Sequence, residues 1–272
     1  MSCARRWPVL ALLLAAALSP ATAPAARSAV AAFPDGPPDS QENCDAEAKL
    51  LLAPSQLQPA IAAFNAQPKS HTKVYFFDTG ALDLLSQGAI VRLRQNDKGG
   101  DLIVKLRLPH DGKITPSSGG KERCKCEFDV IAGVPIRSYT VATGFSGVPP
   151  ETGEQLAQQL SPSQKRLLEQ AAIAIDWTRV KRISGIQQTD WGIAAQPPLP
   201  QLTLERWEWP GGEALEVSGR FAVANEALGY AQLQQLVASK GISVSKQQSP
   251  KTTLALESIT HAAVHQPSGN HR

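Results

Sequence analysis

The stretch Asp45-Ala46-Glu47-Ala48-Lys49 constrains this chain more than any other. Written as a strand, it puts Asp45, Glu47 and Lys49 on one face and Ala46, Ala48 and Leu50 on the other. Two carboxylates and an ammonium on one strand face are costly to bury unless that face lines a wet, charged site. The opposite face is small and apolar, suited to packing under helices. The fold therefore needs further strands whose inner faces supply matching charge.

The chain supplies them. Ala89 to Gln95 alternates, with Ile90, Arg92 and Arg94 opposite Val91 and Leu93. Asp97 to Gly100 is turn material, and Asp101 to Pro109 sets Lys105 and Arg107 against Val104, Leu106 and Leu108. Arg123 to Val130 carries Lys125, Glu127 and Asp129 on one face and Cys124, Cys126 and Phe128 on the other. Lys73 to Thr79, Ala174 to Ile183 (aligning Arg179 and Lys181), Gln201 to Trp209 (Thr203, Glu205, Trp207) and the run holding Ala214, Glu216 and Ser218 are the remaining strands. One cationic strand face is readily explained by solvent. Several in series point instead to a shared interior, because each strand's other face is apolar.

Helices are expected after Pro54-Ser55, with Leu57, Ile61 and Phe64 in phase. They are also expected over Pro162 to Ala172, capped by Ser161, and over Asn225 to Lys240, stopped by Gly241. Residues 131–150 read as irregular, Lys113 to Gly120 as loop, and the tail 259–272 as polar. No break divides the region 44–258, which reads as one domain.

Arg5 and Arg6 precede an apolar run, Trp7 to Leu18, with Ala23-Pro24-Ala25 as a small-x-small cleavage motif. Residues 1–25 thus read as a secretory signal peptide too short for a comfortable membrane span, and 26–43 as a flexible leader. The mature protein is expected to be exported, periplasmic or secreted, with no stable span. Its removal takes two arginines from a formal charge of +3. A nearly neutral chain argues against nucleic-acid binding, which needs a basic surplus. Export permits a disulfide, and Cys44 can be bridged to Cys124 or Cys126; zinc held by the CxC pair and one distant cysteine is the weaker alternative. His71, His110, His261, His265 and His271 fall in expected loops or the tail, and no P-loop is present, so neither a histidine-based nucleophile system nor a Walker site is supported.

Together these pieces resemble the CYTH family of triphosphate tunnel metalloenzymes. Its opening ExExK motif resembles Asp45-x-Glu47-x-Lys49, with Asp for the first Glu. The aromatic-aromatic-Asp-Thr segment is Phe76-Phe77-Asp78-Thr79. Arg92 with Arg94, Lys105, Lys125-x-Glu127-x-Asp129, Arg179 with Lys181, Glu205 and Lys251 then follow in the family's order. Where the family often alternates several acids on the later acidic strand, this chain has Ala214, Glu216 and Ser218.

The resemblance implies an α+β fold: an eight-stranded antiparallel β-barrel around a charged tunnel, with helices outside. It implies that Lys49, Arg92, Arg94, Lys105, Lys125, Arg179, Lys181 and Lys251 bind phosphates. Asp45, Glu47, Glu127, Asp129, Glu205 and Glu216 would hold Mg²⁺ or Mn²⁺, with Glu47, Lys49 and Arg94 catalytic. The implied activity is metal-dependent hydrolysis of tripolyphosphate or an organic triphosphate. The thinned acids leave a non-catalytic binder of polyphosphate or a phosphorylated ligand as the alternative, and adenylate cyclase activity ranks behind both because an exported chain meets little ATP.

Overall fold

The computed structural model describes residues 44–108, 114, 121–197, 199–221 and 226–265; the signal peptide and leader expected over 1–43 lie outside these. Nine strands run β1 (Asp45–Leu52), β2 (Gln67–Asp78), β3 (Ala89–Asn96), β4 (Gly99–Leu108), β5 (Arg123–Ile131), β6 (Val134–Phe145), β7 (Lys181–Ile193), β8 (Gln201–Trp209) and β9 (Gly212–Phe221). They close into one barrel in the order β1-β5-β6-β4-β3-β2-β7-β8-β9. Two expectations are corrected here. The barrel has nine strands, not eight, and it is mixed, because β1 pairs with β5 in parallel while its other neighbour, β9, is antiparallel.

The extra strand is β6, in the stretch read as irregular. It follows β5 through a two-residue hairpin, Ala132-Gly133, both with positive φ (53° and 77°), the conformation that matches strand twist. Its inward side chains include Ser138 and Thr140 rather than charges, which hid its alternation. The expected strand from Ala174 is also corrected: β7 begins only at Lys181. His71 lies within β2, and His261 and His265 lie within a helix rather than a frayed tail.

The helices among the described residues are α1 (Leu57–Phe64), α2 (Asp83–Ser86), α3 (Gly153–Gln159), α4 (Pro162–Gln170), α5 (Glu226–Ser239) and α6 (Lys251–His265). The helix after Ser161 starts as expected: Ser161 and Gln164 form a reciprocal capping box with Pro162 in the first turn. Outward apolar side chains of β1, β8 and β9, such as Ala48, Leu50, Leu204 and Val217, pack with Leu233 and Val237 of α5. Those of β3, β4 and β6 pack with Leu156 of α3 and Leu167 of α4. Each such buried side chain contributes about 1.5–3 kcal/mol.

A third cluster lies inside the barrel. Phe76, Ile90, Ile186 and Trp207 share strand faces with Arg92, Gln188 and Glu205, and Ala255 and Leu256 of α6 pack against them. Helix α6 therefore stoppers one end of the interior. No helix among the described residues is long and apolar enough to cross a membrane. Finally, Cys44 is bridged to Cys126, which decides between the two partners open in the sequence.

Candidate functional site

Parallel pairing of β1 with β5 sets Asp45 opposite Glu127 and Glu47 opposite Asp129. Carboxylate oxygens of Glu47, Glu127 and Asp129 come within 4.8 Å of one another. Like charges this close need compensation, and lysines provide it. Asp129, fully buried, accepts from Lys49 Nζ at 2.5 Å and from Lys105 Nζ at 2.6 Å. Lys125 pairs with Glu127, and Lys49 also stands 3.3 Å from Glu47. Ser218 Oγ donates to Glu47 Oε1 at 2.9 Å, fixing that carboxylate.

Electrostatics follow the geometry. Burial disfavours the Glu47 carboxylate, yet Lys49, Arg220 and Lys125 prevail over it and over neighbouring Asp129, drawing its pKa down to about 2. Burial opposes Asp129 in the same way, but Lys49 and Lys105 hold it well below the usual carboxylate range. For Lys49 burial is outweighed by Asp129, Glu47 and Glu216, so it is held well above an ordinary lysine. For Lys105 burial prevails, and its pKa is lowered despite Asp129.

Across the interior, Glu205 of β8 faces Glu216 of β9. Lys251, the first residue of α6, bonds both, at 2.6 and 2.5 Å, and its ammonium lies 5.3 Å from the centre of the Trp207 ring. Arg92 and Arg94 lower the Glu205 pKa from the same space, adding to Lys251. Burial pushes Arg92 down to about 10, with Arg94 and Arg107 adding repulsion, so it stays charged at neutral pH. Among the described residues, the buried Nε atoms of Arg92 and Arg107 have no hydrogen-bond partner. At the other end from α6, Ser70, Thr72, Arg94, Asn96, Lys98 and Asp101 line a cavity of about 650 Å³.

The structure thus gathers most, but not all, of the residues expected to form the site. Lys49, Arg92, Arg94, Lys105, Lys125 and Lys251 belong to the interior. Arg179 and Lys181 do not: Arg179 is exposed and pairs with Asp83 at 3.3 Å, and Lys181 is exposed at the start of β7. The cause is local. Asp176 accepts from the Thr178 amide and hydroxyl, holding a turn where a strand was expected. Inward positions of β7 come later, at Ile186, Gln188 and Asp190.

Of the six carboxylates, three converge, Glu205 and Glu216 form the separate pair, and Asp45 sits exposed, 3.7 Å from Arg220. Asp78 is structural, accepting the Thr79, Leu84 and Leu85 amides to hold α2. The sequence puts Arg107 on the charged face with Lys105, but the expected site did not include it. Two contributors escaped the sequence reading. Arg220 follows Ser218 by two residues, a signal that was available. Ser138, 3.4 Å from Asp129, lay in the unrecognised strand.

The sequence matches no protein-family model and no curated protein. Solved structures do resemble the barrel. A candidate adenylyl cyclase from Hippeastrum, described as having a dominant triphosphatase activity, is 17% identical with a TM-score of 0.51, covering 83% of this chain and 99% of its own. A candidate adenylate cyclase from Bacillus halodurans is 14% identical with a TM-score of 0.52, covering 78% and 97%. In fold, the chain is similar to both of these barrels.

Proposed function

We propose that the tunnel binds a linear triphosphate, either tripolyphosphate or an organic triphosphate, and hydrolyses its phosphoanhydride bonds with Mg²⁺ or Mn²⁺. The observation that carries this reading is that Arg92 and Arg107 each present a buried, unpartnered Nε inside the barrel. A buried donor without an acceptor costs about 1–3 kcal/mol, more when charged. Phosphate oxygens in the tunnel would recover that cost. The dominant triphosphatase activity described for the Hippeastrum neighbour agrees with the reading.

Glu47, Glu127 and Asp129 offer oxygen donors only, a set that suits Mg²⁺ or Mn²⁺. Such an ion, when bound, supplies charge neutralisation on the phosphates and a more acidic bound water. The chain's own residues do the rest. Glu47, depressed to about 2, stays ionised at neutral pH and acts as ligand rather than proton donor. Lys49, Lys105 and Lys125, now held by carboxylates, are placed to turn to phosphate oxygens once those carboxylates take another cation. Arg92, Arg94 and Arg107 present forked donors to the anion and stabilise charge on the departing phosphate. The stopper of Phe76, Ile90, Trp207 and α6 limits water at one end.

One observation favours a non-catalytic binder instead. Lys251 already bonds both Glu205 and Glu216, leaving a single carboxylate cluster free of it for metal. Release of orthophosphate from tripolyphosphate with Mg²⁺ or Mn²⁺ separates the readings. A hydrolase releases phosphate, and Glu47→Gln abolishes most of it while weakening the metal dependence. A binder shows calorimetric affinity with no release. We also propose that the mature protein acts in an exported compartment, a reading supported by the Cys44–Cys126 disulfide.

A further inference from the structure

We propose that the Cys44–Cys126 disulfide is a positioning element for the metal site, setting the β1–β5 register that brings Glu47, Glu127 and Asp129 together. This rests on the metal-binding reading above. All three carboxylates come from these two strands, and the cross-link joins residues 82 apart in sequence. No hairpin connects the strands, so no turn fixes how they slide. Cys44 directly precedes Asp45 and Cys126 directly precedes Glu127, and Asp45 and Glu127 are register partners. The bridge, with Cα atoms 4.5 Å apart, therefore sits one step upstream of the first acidic pair.

Side chains alternate along both strands, so the sulfurs lie on the outer face while the acids point inward. Slippage by one residue would turn one strand's acids away from the other's. The carboxylates of Glu47, Glu127 and Asp129 crowd within 4.8 Å, and like charges this close favour just such a separation. The cross-link opposes it from outside. Cys44, Ala46 and Phe128 form a small buried cluster with Cys126 and Phe221, and the Arg137 guanidinium lies 4.9 Å from the centre of the Phe128 ring. The anion-binding guanidiniums are on β3 and β4, separated from β5 by β6. Loss of the bridge should therefore weaken metal binding selectively.

The test compares wild type, the C44S/C126S variant, and wild type reduced by a phosphine that is then removed. Reduction breaks the Sγ–Sγ bond, giving two thiols and a phosphine oxide whose oxygen comes from water. Mn²⁺ affinity is read by electron paramagnetic resonance, and tripolyphosphate affinity by calorimetry in EDTA. Mn²⁺ should bind about 10–100-fold more weakly without the disulfide, as when groups supporting metal ligands are lost. Tripolyphosphate affinity in EDTA should fall less than Mn²⁺ affinity, because without a metal Lys49 and Lys125 stay on their carboxylates and the anion rests on Arg92, Arg94 and Arg107. Reoxidation of the reduced protein should restore Mn²⁺ binding. Unchanged Mn²⁺ affinity overturns the proposal while leaving the metal reading intact. Equal loss of both affinities overturns it too, because the bridge would then be a staple for the whole barrel. Absence of Mn²⁺ binding in oxidised wild type defeats the metal reading itself.

Discussion

Asp129→Asn is the most informative single substitution in the tunnel. It keeps the side chain's size while removing the charge between Lys49 and Lys105, bonded at 2.5 and 2.6 Å in a fully buried position. Removing one partner of a buried ion pair costs about 3–5 kcal/mol, chiefly because the other charge is stranded. For a barrel of roughly 200 residues, 1 kcal/mol moves the melting midpoint by about 2–4 °C, so the variant should melt roughly 6–20 °C below wild type at neutral pH.

Two dependences identify the cause. Burial already lowers Lys105 below 10.5, and without Asp129 its folded pKa falls further. The folded variant then binds fewer protons than the unfolded chain, so its deficit should shrink as pH rises toward 10.5. Tripolyphosphate in EDTA should also raise the variant's midpoint more than wild type's at the same concentration, because two ammoniums have been released for it. Differential scanning fluorimetry measures both. A midpoint within about 2 °C of wild type, or no greater rise with tripolyphosphate, would refute the reasoning that Asp129 holds these lysines in reserve for an anion.

Arg92→Ala should cost about 2–4 kcal/mol of transition-state stabilisation, read as kcat/KM for phosphate release. Arg179→Ala should leave that value unchanged, since Arg179 pairs with Asp83 on the surface; equal losses would undo the assignment of the tunnel. Glu47, Asp129 and Glu205 all have depressed folded pKa values, so their contribution to stability is full above ordinary carboxylate values and is lost progressively as pH falls from those to the depressed ones, near 2 for Glu47. Circular dichroism should accordingly show the barrel surviving well below pH 4, about the unfolded carboxylate range, and collapse at pH 4 would contradict the ion-pair network.

Strands with charge on one face were legible because each carries its own alternating signal. β3, β4, β5 and β8 fall within a residue or two of the stretches read from Arg92/Arg94, Lys105/Arg107, Lys125/Glu127/Asp129 and Glu205. β6 was not, because its inward residues are Ser138 and Thr140 and its second residue is Pro135. Arg179-Val180-Lys181 imitated the same pattern inside a turn, where spacing alone cannot reveal that the Asp176 side chain has already bent the backbone. Helix α6 was missed for a related reason. Its buried face, Thr252, Ala255 and Leu256, is small and partly polar because it enters the barrel rather than covering it. Parallel closure between β1 and β5 depends on contacts 82 residues apart, which no local pattern encodes.

The acids missing at Ala214 and Ser218 acquire a different meaning in three dimensions. Ser218 is not a gap, since its hydroxyl donates to Glu47 and orients that carboxylate. Ala214 is the register partner of Trp207, whose ring lies beneath Lys251, and a carboxylate there would be buried beside the aromatic stopper. β9 thus supports one acid of β1 through Ser218 and seats one lysine of α6 through Glu216. A second divalent ion at Glu205 and Glu216 would have to displace Lys251 from both carboxylates at once, against bonds of 2.6 and 2.5 Å in a buried site. The charge arrangement therefore leaves Glu47, Glu127 and Asp129 as the carboxylates that could hold a metal.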